Sequence, residues 1–201
     1  VYKRQHIAFM ARQARGLVCL AMTPQRCEDL ELPLMVEGDD SLSPFTLSIE
    51  AATGIDTGIS AADRARTVRV AVDASSQASD LVQPGHIFPI AAAVGGVLTR
   101  TAPAEAAMDL TTLAGLLPSA VFTEVLDNDG AVADADYLLG FADQHQLVVG
   151  QMSDLVTYRL ANQKTIRAVR EGKLQTRHGV FSATAYQDTT QGRLHVALTK
   201  G

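Results

Sequence analysis

The sequence predicts an α/β (α+β) fold: a mixed parallel/antiparallel sheet flanked by helices, followed by a C-terminal β-hairpin fragment. Three observations carry that expectation. Short apolar runs alternate with stretches of helical periodicity from about residue 6 to residue 160, the pattern of a layered sheet-and-helix domain. Several connections are too short for parallel crossovers, so part of the sheet must be antiparallel. After residue 172 the texture changes to apolar–polar alternation over 179–188 and 194–198 around TTQG, which reads as a hairpin.

In chain order, residues 6–15 place Ile7, Met10, Ala11 and Ala14 at helical spacing and stop at Gly16. Residues 17–22 (LVCLAM) are continuously apolar and predict a buried strand. Thr23 and Pro24 then open a short helix, the threonine as N-cap and the proline at the first helical position. Residues 37–44 are polar and turn-rich, hence a loop. Residues 45–51 alternate, which predicts a strand burying Phe45, Leu47 and Ile49. Beyond a loop with two glycines, Ser60 caps a helix with Asp63 at the capping-box position and Ala62, Ala65, Val68 and Val72 as its apolar face. Residues 73–85 form a polar connection ending in Pro84-Gly85, with short strands expected at 86–90 and 96–99. Ala106, Leu110, Leu113 and Leu117 line one face of the next helix. A strand over 120–126 ends in the turn Asn128-Asp129-Gly130. A helix over 134–145, a strand over 147–150 and a helix from Ser153-Asp154 carrying Leu155 and Tyr158 complete this unit, 1–161. Residues 162–172 are charged and predict a helical linker. The last residues, 173–201, bury too little as an isolated hairpin to be stable alone, so they are expected to open a further, incomplete domain.

The 201 residues, 47% hydrophobic and 19% charged, fit one globular domain or one domain plus a fragment. With 5% aromatics and no Trp, the core must be aliphatic and rich in small residues. A net charge of −5 argues against a nucleic-acid partner, which would need a basic face. The longest nearly uncharged stretch, 87–99, is interrupted by Pro89 and Gly95-Gly96 and is too short to span a bilayer. The opening VYKRQHIAFM has neither Met nor the apolar core of a secretory signal, and is expected to begin inside a domain. Cys19 and Cys27 lack metal spacing and give no disulfide framework, which makes the cytoplasm the expected compartment.

Chemistry concentrates in residues 84–117. A turned histidine, His86, precedes a small-residue apolar stretch, a Gly-Gly break, Arg100 and a new helix. His86 reads either as a partly exposed turn histidine or as a general acid/base, since imidazole titrates near working pH. Arg100, at a strand end before a helix N-terminus, is either a surface arginine or half of a phosphate cradle, because free N–H groups and the helix dipole favour an anion. Glu105 in that helix's first turn complements the dipole. Glu124 lies between Phe122 and Leu126 on one strand face, where an unpaired carboxylate is costly to bury. It either faces solvent at an edge or is a functional carboxylate with a raised pKa.

TGISAADR (57–64), DLVQPGHIFPI (80–90), GGVLTR with EAAMDLTTLAGL (95–116) and VFTEVLDNDG (121–130) resemble 3,4-dihydroxy-2-butanone 4-phosphate synthase. GLVCLAM (16–22), ELPLMV (31–36) and MSDLVTYR (152–159) also fit, so the resemblance covers about residues 6–160. It implies conversion of ribulose 5-phosphate to the four-carbon phosphate and formate with Mg²⁺ (or Mn²⁺), in a cytoplasmic homodimer with pockets at the subunit interface. It implies that His86 and Glu124 are catalytic, that Arg100 opens the substrate-phosphate segment, and that Cys19 and Thr57 line the pocket. An acidic loop supplying a metal-ligand glutamate would precede Val1. The family's metal-ligating histidine stands at Pro103 and its phosphate-binding threonine at Ala104, so no metal ligand is assigned in this chain, and the departures predict impaired activity. KLQTRHGVFSATAYQDTTQGRLHVALTKG (173–201) resembles the opening of GTP cyclohydrolase II, the domain that follows the synthase in bifunctional riboflavin-biosynthesis proteins. The other implied role is a non-catalytic dimerisation or scaffold module of such a protein.

Overall fold

The computed structural model describes residues 3–36, 44–190 and 192–200. Most of the loop expected at 37–44 lies outside the described residues.

The chain starts with α1 (Arg4–Phe9), which runs on as a π-helical turn, Met10–Ala14, and stops at Arg15 in the left-handed conformation (φ 68°). Strand β1 (Cys19–Met22) is buried along its whole length, and α2 (Pro24–Asp29) follows with the Thr23 hydroxyl accepting from the Arg26 N–H at 3.1 Å. The alternation over 45–51 resolves into single bridges at Phe45 and Thr46, then β2 (Ile49–Ala51). The expected alternation does not hold through this stretch. Thr46 is fully buried, its N–H bonded to the Pro89 carbonyl at 3.0 Å, whereas Leu47 is exposed. Helix α3 (Ala61–Val72) is capped by Ser60 as expected, and the Asp63 carboxylate reaches back to the Gly58 N–H at 3.2 Å. Its buried face is Ala65, Thr67, Val68 and Ala71, with Ala62 left outside.

Strand β3 (Leu81–Ala91) is longer than expected: Pro84-Gly85 lies inside it, not at the end of a connection. Residues 96–99, expected as a strand, instead make a 3₁₀ turn over Gly96–Leu98, because Gly95 and Gly96 both take positive φ. Helix α4 (Pro103–Leu113) buries Ala104, Glu105, Met108 and Asp109. That is the opposite of the expected apolar face, since Leu110, Leu113 and Leu117 are exposed. Strand β4 (Ser119–Phe122) is shorter than the predicted 120–126, continuing only as bridges at Val125 and Leu126. Helices α5 (Ala135–His145) and α6 (Met152–Asn162) follow, with no strand at 147–150, where Val148 is fully exposed.

The sheet order is β2-β3-β1-β4, with β1 parallel to β3 and the other pairs antiparallel. This is the predicted mixed sheet. α1 and α3 cover one face and α4 the other. The expected helical linker is wrong beyond Asn162. β5 (Ile166–Thr176) pairs with β6 (Gly179–Asp188), which pairs with β7 (Leu194–Thr199), an antiparallel three-stranded sheet containing the predicted hairpin. Branched residues such as Ile166, Val169, Val180 and Val196 suit strands better than a helix. No helix among the described residues is long and apolar enough to cross a membrane.

Candidate active site

Alternation along β1 sends Leu20 and Met22 to one face, and Cys19 and Ala21 to the other. On the second face Cys19 lies in register with Phe88 of β3 and Phe122 of β4. With Cys19 on the strand and Ala102 and Ala104 opposite it, a cavity of about 340 Å³ remains between the sheet and the start of α4. Leu17, Cys19, Phe45 and Phe122 form its apolar wall, and Arg100, Glu105 and Glu124 its polar groups.

Arg100 is aimed into place by α4. Its Nε donates to Glu105 Oε1 at 2.8 Å, Nη2 pairs with the same oxygen, and Nη2 also donates to the Ala91 carbonyl at 3.1 Å. Glu105 is completely buried and also accepts from the Ala93 N–H at 2.7 Å. Its role is therefore not dipole complementarity alone, as its first-turn position suggested. It neutralises and fixes Arg100, and its other oxygen, Oε2, has no hydrogen-bond partner among the described residues. Arg100 is delivered by the 3₁₀ turn and not by a strand.

Glu124 lies just past β4, exposed at the cavity mouth. Gly16 packs so closely there that a Cβ would sit 2.3 Å from the Glu124 carbonyl, which holds that backbone against the β1 approach. The Cys19 thiol is pushed up from its usual 9.0 to about 11, first by burial and then by the Glu124 charge. At neutral pH it is a packing group and not a nucleophile.

His86 does not line this cavity. It sits two residues before Phe88 on β3 and, by alternation, on the same sheet face. Glu124 lies two residues beyond Phe122, so both occupy one end of the sheet with the β1 approach between them. Two inter-strand spacings put their backbones roughly 10 Å apart. His86 Nδ1 contacts Glu50 Oε1 of β2, a residue that the sequence reading passed over. The contact is built by crowding. A Cβ at Gly85 would lie 2.2 Å from the Ile49 carbonyl, and one at Gly58 would lie 1.8 Å from Glu50 Oε1. Thr57 is exposed in the adjoining loop and is not part of the cavity wall. The signal for Glu50 was available as the polar partner of Ile49 in alternation, but its partner is distant in sequence.

The 3,4-dihydroxy-2-butanone 4-phosphate synthase family profile matches residues 1–158. The chain belongs to this family. A protein of that name from Pseudomonas syringae pv. tomato is 48% identical over 199 residues, covering 98% of this chain and 54% of the relative. A riboflavin biosynthesis protein RibBA from Salinispora arenicola is 41% identical, covering 97% and 47%. The chain thus spans about half the length of the curated relatives it matches. The crystal structure of RibBX, a two-domain synthase from A. baumannii, superposes with a TM-score of 0.89 at 42% identity, covering 99% of this chain and 59% of that one. A synthase solved in complex with two magnesium ions has a TM-score of 0.72 at 34% identity, covering 81% and 82%.

A divalent metal therefore occurs in the family, but the residues lining this cavity do not make a magnesium site. Among the described residues no three His, Cys, Asp or Glu side chains cluster to hold a metal. Pro103, at the helix start, has no donor atom, and Glu105 Oε1 is already occupied by Arg100. Magnesium needs several well-placed oxygens even when water completes its shell.

Proposed function

We propose that this domain converts ribulose 5-phosphate to 3,4-dihydroxy-2-butanone 4-phosphate and formate, a step of riboflavin biosynthesis. The observation that carries the reading is the cavity joining Arg100, the N-terminus of α4 and Glu124 in a member of the synthase family. Arg100 and the free N–H groups of the first turn of α4 take the phosphate, as an anion at a helix N-terminus is favoured by both charge and donors. Glu124 at the mouth moves protons at the sugar carbons, and His86 serves as the second acid/base with Glu50 orienting its imidazole. The reaction enolises the sugar, loses water, shifts the carbon skeleton and regains water as formate leaves, so it needs proton transfers and no external oxidant. Cys19 packs the floor. Thr57 contributes from the loop beside Glu50. No step is assigned to Mg²⁺ or Mn²⁺.

We further infer a homodimer with the pockets at the subunit interface. It is supported by the gap between His86 and the cavity, which a second copy would bridge. It also gives a cover for Leu110, Leu113 and Leu117, left exposed on α4 and just after it. Residues 1–161 form the synthase domain. Residues 173–201 belong to a GTP cyclohydrolase II-like domain whose remaining parts would cover a sheet with β5 and β7 largely exposed. Neither cysteine of the chain lies in that segment to ligate zinc. Cytoplasmic location without nucleic-acid or membrane partners completes the reading.

The test is formate release from ribulose 5-phosphate with Mg²⁺, using this chain and the natural full-length protein. Turnover lost in Glu124→Gln and in His86→Ala, and raised by Pro103→His with Ala104→Thr, is the expected result. Absence of formate from both proteins, with no binding of ribulose 5-phosphate, would overturn the assignment.

A further inference from the structure

We propose that Asp109 and Arg159 are positioning residues for Arg100: a buried ion pair outside the cavity wall that holds the turn presenting the guanidinium. Both residues are buried (8% and 9% exposed), and each side chain is nine-tenths buried. Arg159 Nη1 donates to Asp109 Oδ1 at 2.5 Å and to the Gly95 carbonyl at 2.8 Å. Asp109 Oδ2 accepts from the Val97 N–H at 2.9 Å. Two helices thus grip one turn, α6 by its carbonyl side and α4 by its N–H side.

Gly96 stands between the two grips with φ +64°, and a Cβ there would lie 2.0 Å from Asp109 Oδ1 and 2.4 Å from Arg159 Nη1. Its carbonyl accepts from the Thr99 N–H at 2.9 Å and from the Arg100 N–H at 3.1 Å. The backbone of Arg100 is therefore bonded directly to the residue that the ion pair encloses. On the same face of α4, one turn earlier, Glu105 pairs with the Arg100 side chain. One helix face fixes the arginine twice, at its side chain and through its backbone. A buried ion pair returns little net stability compared with well-packed apolar residues, and a geometric role accounts for it better than a stabilising one.

The inference rests on Arg100 binding the substrate phosphate, and its test separates the two claims. Arg159→Lys keeps the charge but lacks the planar fork that reaches two acceptors at once. Asp109→Asn keeps the shape and removes the charge. In the 201-residue chain, the Arg100 Nε–H resonance, assigned by its loss in Arg100→Lys, reports the guanidinium environment without any ligand. Isothermal titration with ribulose 5-phosphate reports binding. Both variants are expected to shift or broaden that resonance and to weaken binding roughly ten- to a hundredfold, as small misplacements of a positioning group do. If Asp109→Asn does not fold, Arg159→Lys decides. A folded variant with an unmoved Arg100 resonance overturns the proposal, whatever its melting temperature. Failure of the unmutated chain to bind ribulose 5-phosphate counts against the synthase reading, while the resonance still decides the role of the pair.

Discussion

The two faces of the β1–β4 sheet share the same strands and differ in what those strands present. Toward α1 and α3 the sheet offers Val18, Leu20, Met22, Ile49 and Ile87, all no more than 1% exposed, and the space is filled. Toward α4 it offers Cys19, Ala21, Ile90 and Ala92, and α4 answers with Ala104 and Met108. Cys19, Ala21, Ala92 and Ala104 are too small to fill this side, the rings of Phe45, Phe88 and Phe122 are only partly buried, and the cavity with its three charged groups is what remains. One face of the strands is spent on stability and the other on a site.

The strongest way to break that contrast is to truncate a side chain on each face. Leu20→Ala should cost about 2–5 kcal/mol, because the packed face cannot collapse around the void. Cys19→Ala, whose sulfur borders an existing cavity, should cost only about 1 kcal/mol. Urea unfolding of both variants measures the difference, and equal costs would remove the distinction between a packing face and a site face.

A second measurement uses the two thiols, one on each face. Cys19 and Cys27 are both raised from 9.0 to about 11, mainly by burial. The next cause differs: Glu124 for Cys19, and Glu28 opposed by Arg26 for Cys27. A raised thiol pKa means that the folded state holds its proton more tightly than the unfolded one. The associated stability is complete below pH 9.0, and it is lost as pH rises through about 11. It amounts to roughly 2–3 kcal/mol per thiol at most. Glu124→Gln should lower the Cys19 titration and leave Cys27 in place, as followed by thiolate absorbance in single-cysteine variants. If Cys19 does not respond, Glu124 does not face the site floor.

Much of this architecture was legible in sequence where a local signal sufficed. The Thr23-Pro24 and Ser60 helix starts, the apolar run of β1 and the Asn128-Asp129-Gly130 turn act within a few residues. What could not be read depends on contacts that only the folded chain makes. Glu105 looked like a first-turn acid because its partner Arg100 is recognised only once the 3₁₀ turn folds back on α4. Glu50 gained meaning only when β2 paired with β3. The leucines of α4 gave a clean helical face, yet periodicity identifies an apolar stripe without saying whether it meets this chain's core or another surface. The charged stretch after Asn162 was assigned to helix by composition, and pairing with β6 overrode it. His86, Arg100 and Glu124 can be singled out in the sequence as individual candidates, but their division between the cavity and the β2–β3 edge cannot.

The smallest expected effect probes the site face at its rim. Ala102 is the N-cap of α4, extended at φ −139° and ψ 162°, and makes no side-chain capping bond. A serine there could accept from an N–H of the first turn, which is worth roughly 0.5–2 kcal/mol in helix stability. Those N–H groups are the ones proposed to hold the substrate phosphate, so a capping hydroxyl would compete with the ligand. Ala102→Ser should therefore raise the unfolding midpoint while weakening ribulose 5-phosphate binding, and Ala102→Gly should leave binding closer to that of the unmutated chain. If the serine variant is more stable and binds unchanged, the helix N-terminus takes no part in anion binding. Arg100, already half-neutralised by Glu105, would then have to hold the phosphate alone.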